Sequence, residues 1–101
     1  MAKGVARLGD RTYGTCTAHI TPITTGGTIT GPCSPSIVVN DKPCARLGDT
    51  VTADCGHTSV ITSASPDVIG DEPAVARYGD TVGEGPYTAT IISASTDVFA
   101  N

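Results

Sequence analysis

Apolar positions in this chain come in short β-branched runs separated by turn residues. Ile37-Val38-Val39, Val60-Ile61, Val68-Ile69, Ile91-Ile92 and Val98-Phe99 each lie between clusters of Gly, Pro, Asn and Asp, the pattern of strands bounded by turns. No window carries apolar residues at i, i+3, i+4 and i+7 behind a cap, and the sequence contains only Leu8, Leu47 and one Met. The pattern predicts an all-β chain. Turn chemistry agrees: Asn40-Asp41 before Lys42-Pro43 and Gly70-Asp71 before Glu72-Pro73 occupy equivalent places, where Asn or Gly supplies the positive φ of a tight hairpin.

One unit recurs three times. Val5-Ala6-Arg7-Leu8-Gly9-Asp10 returns as Cys44-Ala45-Arg46-Leu47-Gly48-Asp49 and as Val75-Ala76-Arg77-Tyr78-Gly79-Asp80. A second motif follows each copy: Ser34-Pro35-Ser36-Ile37-Val38, Ser65-Pro66-Asp67-Val68-Ile69 and Ser95-Thr96-Asp97-Val98-Phe99. Ser34 stands as far before Arg46 as Ser65 does before Arg77, so the register is fixed. The repeats run about 5–43, 44–74 and 75–101, and the first is longer because of extra residues between Ile20 and Gly31, a loop or a longer hairpin. Gly9, Gly48 and Gly79 predict a bend in each unit, closed by the following Asp bonding backbone N–H groups. Asp10, Asp49 and Asp80 are therefore read as turn formers. A unit this short cannot bury its own apolar face, so the three are expected to close around a shared pseudo-threefold axis.

Composition narrows the picture. The 101 residues suit a single domain, 1–101. With aromatic residues at 4 % and no Trp, the core must be built from small aliphatic side chains. A net charge of −4 disfavours nucleic acid, whose binding draws on clustered Lys and Arg. Lys3 and Arg7 precede any apolar stretch, so no signal peptide is visible and synthesis in the cytoplasm is expected.

The repeat register also separates chemistry from packing. Six residues beyond Asp10, Asp49 and Asp80 stand Cys16, Cys55 and Pro86. Each of the two cysteines is followed by a histidine, in Cys16-Thr17-Ala18-His19 and Cys55-Gly56-His57. If the units pack about an axis, Cys16, His19, Cys55 and His57 converge as the two-sulfur, two-nitrogen set that tetrahedral Zn²⁺ takes, with iron as the alternative ion. A thin-cored domain of this size gains from such a staple. Cys44 fills the slot of Val5 and Val75, and Cys33 that of Ala64 and Ala94, so both are read as small buried residues, with a Cys33–Cys44 disulfide as the competing reading.

Three copies of Ala-Arg-(Leu/Tyr)-Gly-Asp, with Lys42-Pro43-Cys44-Ala45-Arg46 and Glu72-Pro73-Ala74-Val75-Ala76-Arg77 around the last two, resemble the proline-alanine-alanine-arginine (PAAR) repeat family. The resemblance covers essentially the whole chain. It implies a small cone of short β-hairpins with a zinc at the apex held by His and Cys. It further implies that the broad base caps a trimeric β-helical spike protein (VgrG-like or a phage central spike), one monomer on a trimer, with transient contact to the target membrane. The expected location is the tip of a virion tail baseplate or of a type VI secretion spike, and the apolar side chains expected at the base include Val38, Ile69 and Phe99. His19, Cys55 and His57 carry over by slot, whereas Cys16 rests on the repeat register. Cys33 is the alternative to Cys16 should the long first loop fold toward the apex. The third repeat offers only Pro86 and Tyr87 there, and Cys44 replaces the first Ala of the signature.

Two other classes compete with a structural tip. A free-standing zinc module with a regulatory or storage role predicts no apolar docking face. An enzyme would need an open metal position or an activated Cys-His pair in a cleft; the sequence is read as non-enzymatic.

Overall fold

The Gly-Asp steps set the course of the chain. Gly9, Gly48 and Gly79 have φ of 88°, 88° and 85°, left-handed values that favour glycine. A Cβ at any of them would meet nothing within 4 Å, so backbone handedness, not crowding, demands the residue. Each Asp then accepts the backbone N–H of the Arg three residues earlier, at 2.8 Å for Arg7, 2.6 Å for Arg46 and 2.7 Å for Arg77. In the computed structural model, which describes residues 3–34, 37–65, 74–96 and 98–100, every one of these bends launches a strand.

The strands are β1 (Lys3–Gly4), β2 (Arg11–Cys16), β3 (Ile23–Gly31), β4 (Val38–Val39), β5 (Lys42–Pro43), β6 (Thr50–Ala53), β7 (Thr58–Ile61), β8 (Thr81–Gly83), β9 (Tyr87–Ile91) and β10 (Phe99–Ala100). No helix occurs among the described residues. Three antiparallel hairpins, β2–β3, β6–β7 and β8–β9, join edge to edge into a closed barrel, with β9 pairing back onto β2. The extra residues of the first unit form a longer hairpin, its second strand running over nine residues. Of the expected strands, Val68-Ile69 and the turn Gly70-Asp71 lie outside the described residues.

Segments equivalent in sequence make equivalent bonds. Ala6 N–H donates to Ala76 O at 2.9 Å, Ala76 to Ala45 O at 3.0 Å and Ala45 to Ala6 O at 3.0 Å, closing a ring of three. All three alanines are fully buried, because converging backbones leave room for little more than a methyl. Above this ring, Ile29, Ile61 and Ile91 each accept the N–H of a bend glycine, at 2.9, 2.9 and 2.8 Å. The expected aliphatic core is present, with buried Ile29, Ile61, Ile91, Val51 and Val82 at its centre.

Beneath the ring the chain spreads into a base. Asn40 and Asp41 take φ of 52° and 66°, the paired positive values that let a two-residue loop join β4 to β5. A second ribbon pairs β1 with β10, matching Gly4 to Phe99. Val5, Val39, Cys44 and Val75 form a separate apolar cluster there.

One large side chain breaks the aliphatic pattern. Tyr87 is fully buried inside the barrel, and its hydroxyl is paired with Thr12 Oγ1 at 2.9 Å. Thr12 stands where the other units have Val51 and Val82, so the hydroxyl replaces a methyl to satisfy the phenol. Gly27 makes the space: a Cβ there would lie 2.8 Å from Thr12 Oγ1 and 2.9 Å from Tyr87 Cε2. Gly27→Ala is expected to cost about 1–3 kcal/mol by overpacking, read as a lower urea midpoint; an unchanged midpoint would show that the ring has slack.

Candidate metal centre

Cys16 ends β2 and points into the barrel, fully buried. His19 follows in the turn to β3. Cys55 and His57 share a tight turn between β6 and β7, where Ala53 N–H donates to His57 O and Gly56 N–H to Ala53 O, both at 2.8 Å. Gly56 has φ of 96°, which the reversal between the two side chains requires. The third hairpin braces the first: Thr17 N–H donates to Pro86 O at 2.8 Å, and Thr17 Oγ1 to the same oxygen at 3.1 Å.

These turns bring one donor atom from each of Cys16, His19, Cys55 and His57 within 4.8 Å of one another. His57 Nδ1 lies 3.4 Å from both Cys16 Sγ and Cys55 Sγ. The His19 and His57 rings meet edge to face, centroids 5.0 Å apart. His19 Nε2 is shut off from solvent with no hydrogen-bond partner, a costly state for a ring nitrogen. Burial pushes the Cys16 thiol up. Cys55 is pulled down to about 6, first by the His57 backbone N–H and then by the His19 and His57 side chains, so one sulfur of the set is poised as a thiolate.

The donor set fits a metal ion. Bonds of roughly 2.0–2.3 Å to sulfur and nitrogen give a tetrahedron with edges of about 3.5 Å, close to the two 3.4 Å sulfur–nitrogen separations. A bound ion would also give His19 Nε2 the partner it lacks. The four residues could therefore hold a metal, and nothing in the donor set conflicts with one.

The other cysteines stand elsewhere. Cys33 is buried at the Gly-Asp end of the barrel, its backbone N–H donating to Oδ1 of Asp49 at 3.1 Å, and Asp49 itself stands six residues before Cys55. Burial pushes the Cys33 thiol up to about 12, so it is unreactive. Cys44 packs with Val5 and Val75 as its slot indicated. Cys33 and Cys44 are not joined by a disulfide, which corrects that alternative, and it is Cys16 rather than Cys33 that joins the cluster.

Sequence reasoning missed Tyr87 as the plug that fills the third unit's share of the barrel interior. The signal was available in Thr12, the one departure from Val at its repeat position. It also left Ile37 and Val98 unnamed at the base, where both are exposed. No helix among the described residues is long and apolar enough to cross a membrane. Compared with known proteins, the chain matches the PAAR motif family model over residues 21–89. No curated protein matches it.

Proposed function

The chain belongs to the PAAR motif family, which supports a spike-tip role in type VI secretion and phage-type systems, and from that premise we propose that it caps a trimeric β-helical spike and carries zinc at its point. The observation that supports this best is the chemical difference between the two ends of a body 40 × 23 × 23 Å across. At one end sit the four clustered donors. At the other, a hollow of about 130 Å³ is floored by Val5, Cys44 and Val75 and walled by Ile37, Val98 and Phe99.

Around that hollow Ile37 and Phe99 are 38 % and 57 % exposed, an apolar face that water disfavours, while Val38, also expected at the base, alternates to the other face of β4. Among the described residues the ribbons β4–β5 and β1–β10 are two-stranded, and such strand edges can pair with a partner. Val5, Cys44 and Val75 come from three equivalent segments, so one copy of this chain presents a near-threefold surface to a threefold partner. Ile69, also expected at the base, lies outside the described residues.

At the point, Cys16 and Cys55 as thiolates with neutral His19 and His57 would hold the ion. When bound, zinc supplies a cross-link between the first and second hairpins. Two sulfurs and two nitrogens favour zinc, with iron the alternative. Four protein donors complete a tetrahedron, so in this reading the protein is not an enzyme. Pushed along its long axis, a stapled tip concentrates force on a small patch of membrane. The rival reading, a free zinc module, leaves the apolar hollow without a purpose.

The test is assembly with a trimeric β-helical spike protein, followed by native mass spectrometry. One copy per three spike chains is expected, with the complex lost in Ile37→Asp and Phe99→Asp. A spike that stays bare, or binding that ignores both substitutions, would overturn the proposal.

A further inference from the structure

The three hairpins differ at one junction, and there the differences coincide. Arg11 opens β2, where the other units have Thr50 and Thr81. Asp54 follows β6, where they have Thr15 and Gly85. Gly26 lies in β3 at the place of Thr58 and Thr88. Arg11 reaches across Gly26 to make a two-pronged pair with Asp54, Nη2 to Oδ2 at 2.7 Å and Nη1 to Oδ1 at 3.1 Å. Nη1 also donates to Thr28 Oγ1 at 2.6 Å. A Cβ on Gly26 would stand 2.5 Å from Nη2, so the glycine is the trough in which the guanidinium lies.

This junction joins the two hairpins that carry the candidate ligands. Cys16 and His19 belong to the first, Cys55 and His57 to the second, and Asp54 directly precedes Cys55. Asp54 is held twice, its backbone N–H donating to Gly26 O at 2.8 Å and its carboxylate fixed by Arg11. Among the described residues, the junctions that touch the third hairpin, which supplies no ligand, show no such pair.

The geometry points to Arg11 and Asp54 as positioning residues, a clamp across Gly26 that holds the two Cys-His halves in register and so sets how tightly metal is retained. This rests on the reading that Cys16, His19, Cys55 and His57 bind one ion. The clamp touches none of the donor atoms. It acts by narrowing the relative motion of the two turns, so less order has to be imposed when an ion binds.

The test titrates metal-stripped protein with Co²⁺, whose thiolate charge-transfer and d–d bands report the coordination geometry, and with Zn²⁺ in competition against a chelator. Arg11→Gln, Asp54→Asn and their double variant are compared with Gly26→Ala, which displaces the guanidinium while keeping both charges. Each single variant is expected to bind about three- to fivefold more weakly, the scale of an exposed ion pair, and the double no more weakly than either single. Gly26→Ala should match them, and the stripped proteins should melt together. Wild-type affinity in the variants, additive losses, or an equal fall in stripped and loaded melting temperatures would overturn the clamp while leaving the metal site standing. A wild type that takes up no cobalt would remove both.

Discussion

His57→Ala is expected to release the metal and lower the melting temperature of the loaded protein by roughly 12–24 °C. The side chain is central to the cluster, with Nδ1 3.4 Å from both sulfurs. Its removal leaves three donors and opens the site to water. A structural zinc site can supply ~10–16 kcal/mol of binding free energy. Losing even ~3 kcal/mol of that moves a domain of about 100 residues by the stated amount. Elemental mass spectrometry and calorimetry on protein prepared without chelator provide the check. Cys44→Val is the control, since Cys44 packs with Val5, Val39 and Val75 away from the cluster; it should keep both metal and melting temperature. Full metal content in His57→Ala, or metal loss in Cys44→Val, would show that the ligands are misassigned.

The bends and the donor set were legible in the sequence because each rests on a local rule applied at equivalent positions. Glycine at Gly9, Gly48 and Gly79 announces a positive φ wherever it is repeated at a fixed offset, and the φ values agree to within a few degrees. The cysteine slots follow from counting along strands that start at the same bend, so Cys16 and Cys55 reach the same level of the barrel. The apolar runs exposed β7 and β9 but not β2, β6 or β8. Those strands carry at most a single aliphatic of their own, Val51 or Val82, set among Thr, Ala and Gly rather than in a run, and Arg11-Thr12-Tyr13-Gly14 shows little contrast between its faces.

What escaped depended on contacts between units. The motif arginines had no assigned role, since an Arg three residues before an Asp approaches it only when the bend turns it back. Arg7 and Arg77 donate to Asp10 and Asp80 through both Nε and Nη2, at 2.8–3.0 Å. Arg46 is looser, its Nη2 3.6 Å from Asp49, whose Oδ1 is shared with the Cys33 backbone. The units also differ in the neighbour that reaches this carboxylate. Ser93 and Ser63 bond Asp10 and Asp80 at 3.0 Å, and the corresponding position in the first hairpin is Gly31, which has no hydroxyl to give. Such exchange between neighbouring units cannot be read within one repeat.

That same network yields the second large effect. Asp80→Ala is expected to destabilise the protein by about 3–5 kcal/mol, the cost of removing one partner from a buried ion pair. The carboxylate is 3 % exposed and takes four hydrogen bonds, from Arg77 N–H, Nε and Nη2 and from Ser63 Oγ. Truncation removes the Asp80 carboxylate from beside the guanidinium and unties the bend that starts β8. Adding Arg77→Met should return part of the loss, because the charge disappears with its partner while the apolar stem is kept. Asp49→Ala should act mainly through the backbone, since its bonds to the Arg46 and Cys33 N–H groups are shorter than its ion pair; Arg46→Met should then rescue it less. Urea unfolding of the single and double variants separates the contributions. A cost below about 1 kcal/mol for Asp80→Ala, the size of an ordinary hydrogen bond, would mean that glycine alone holds the bend. Equal rescue at both positions would mean that the 3.6 Å pair is as strong as the 2.8 Å one.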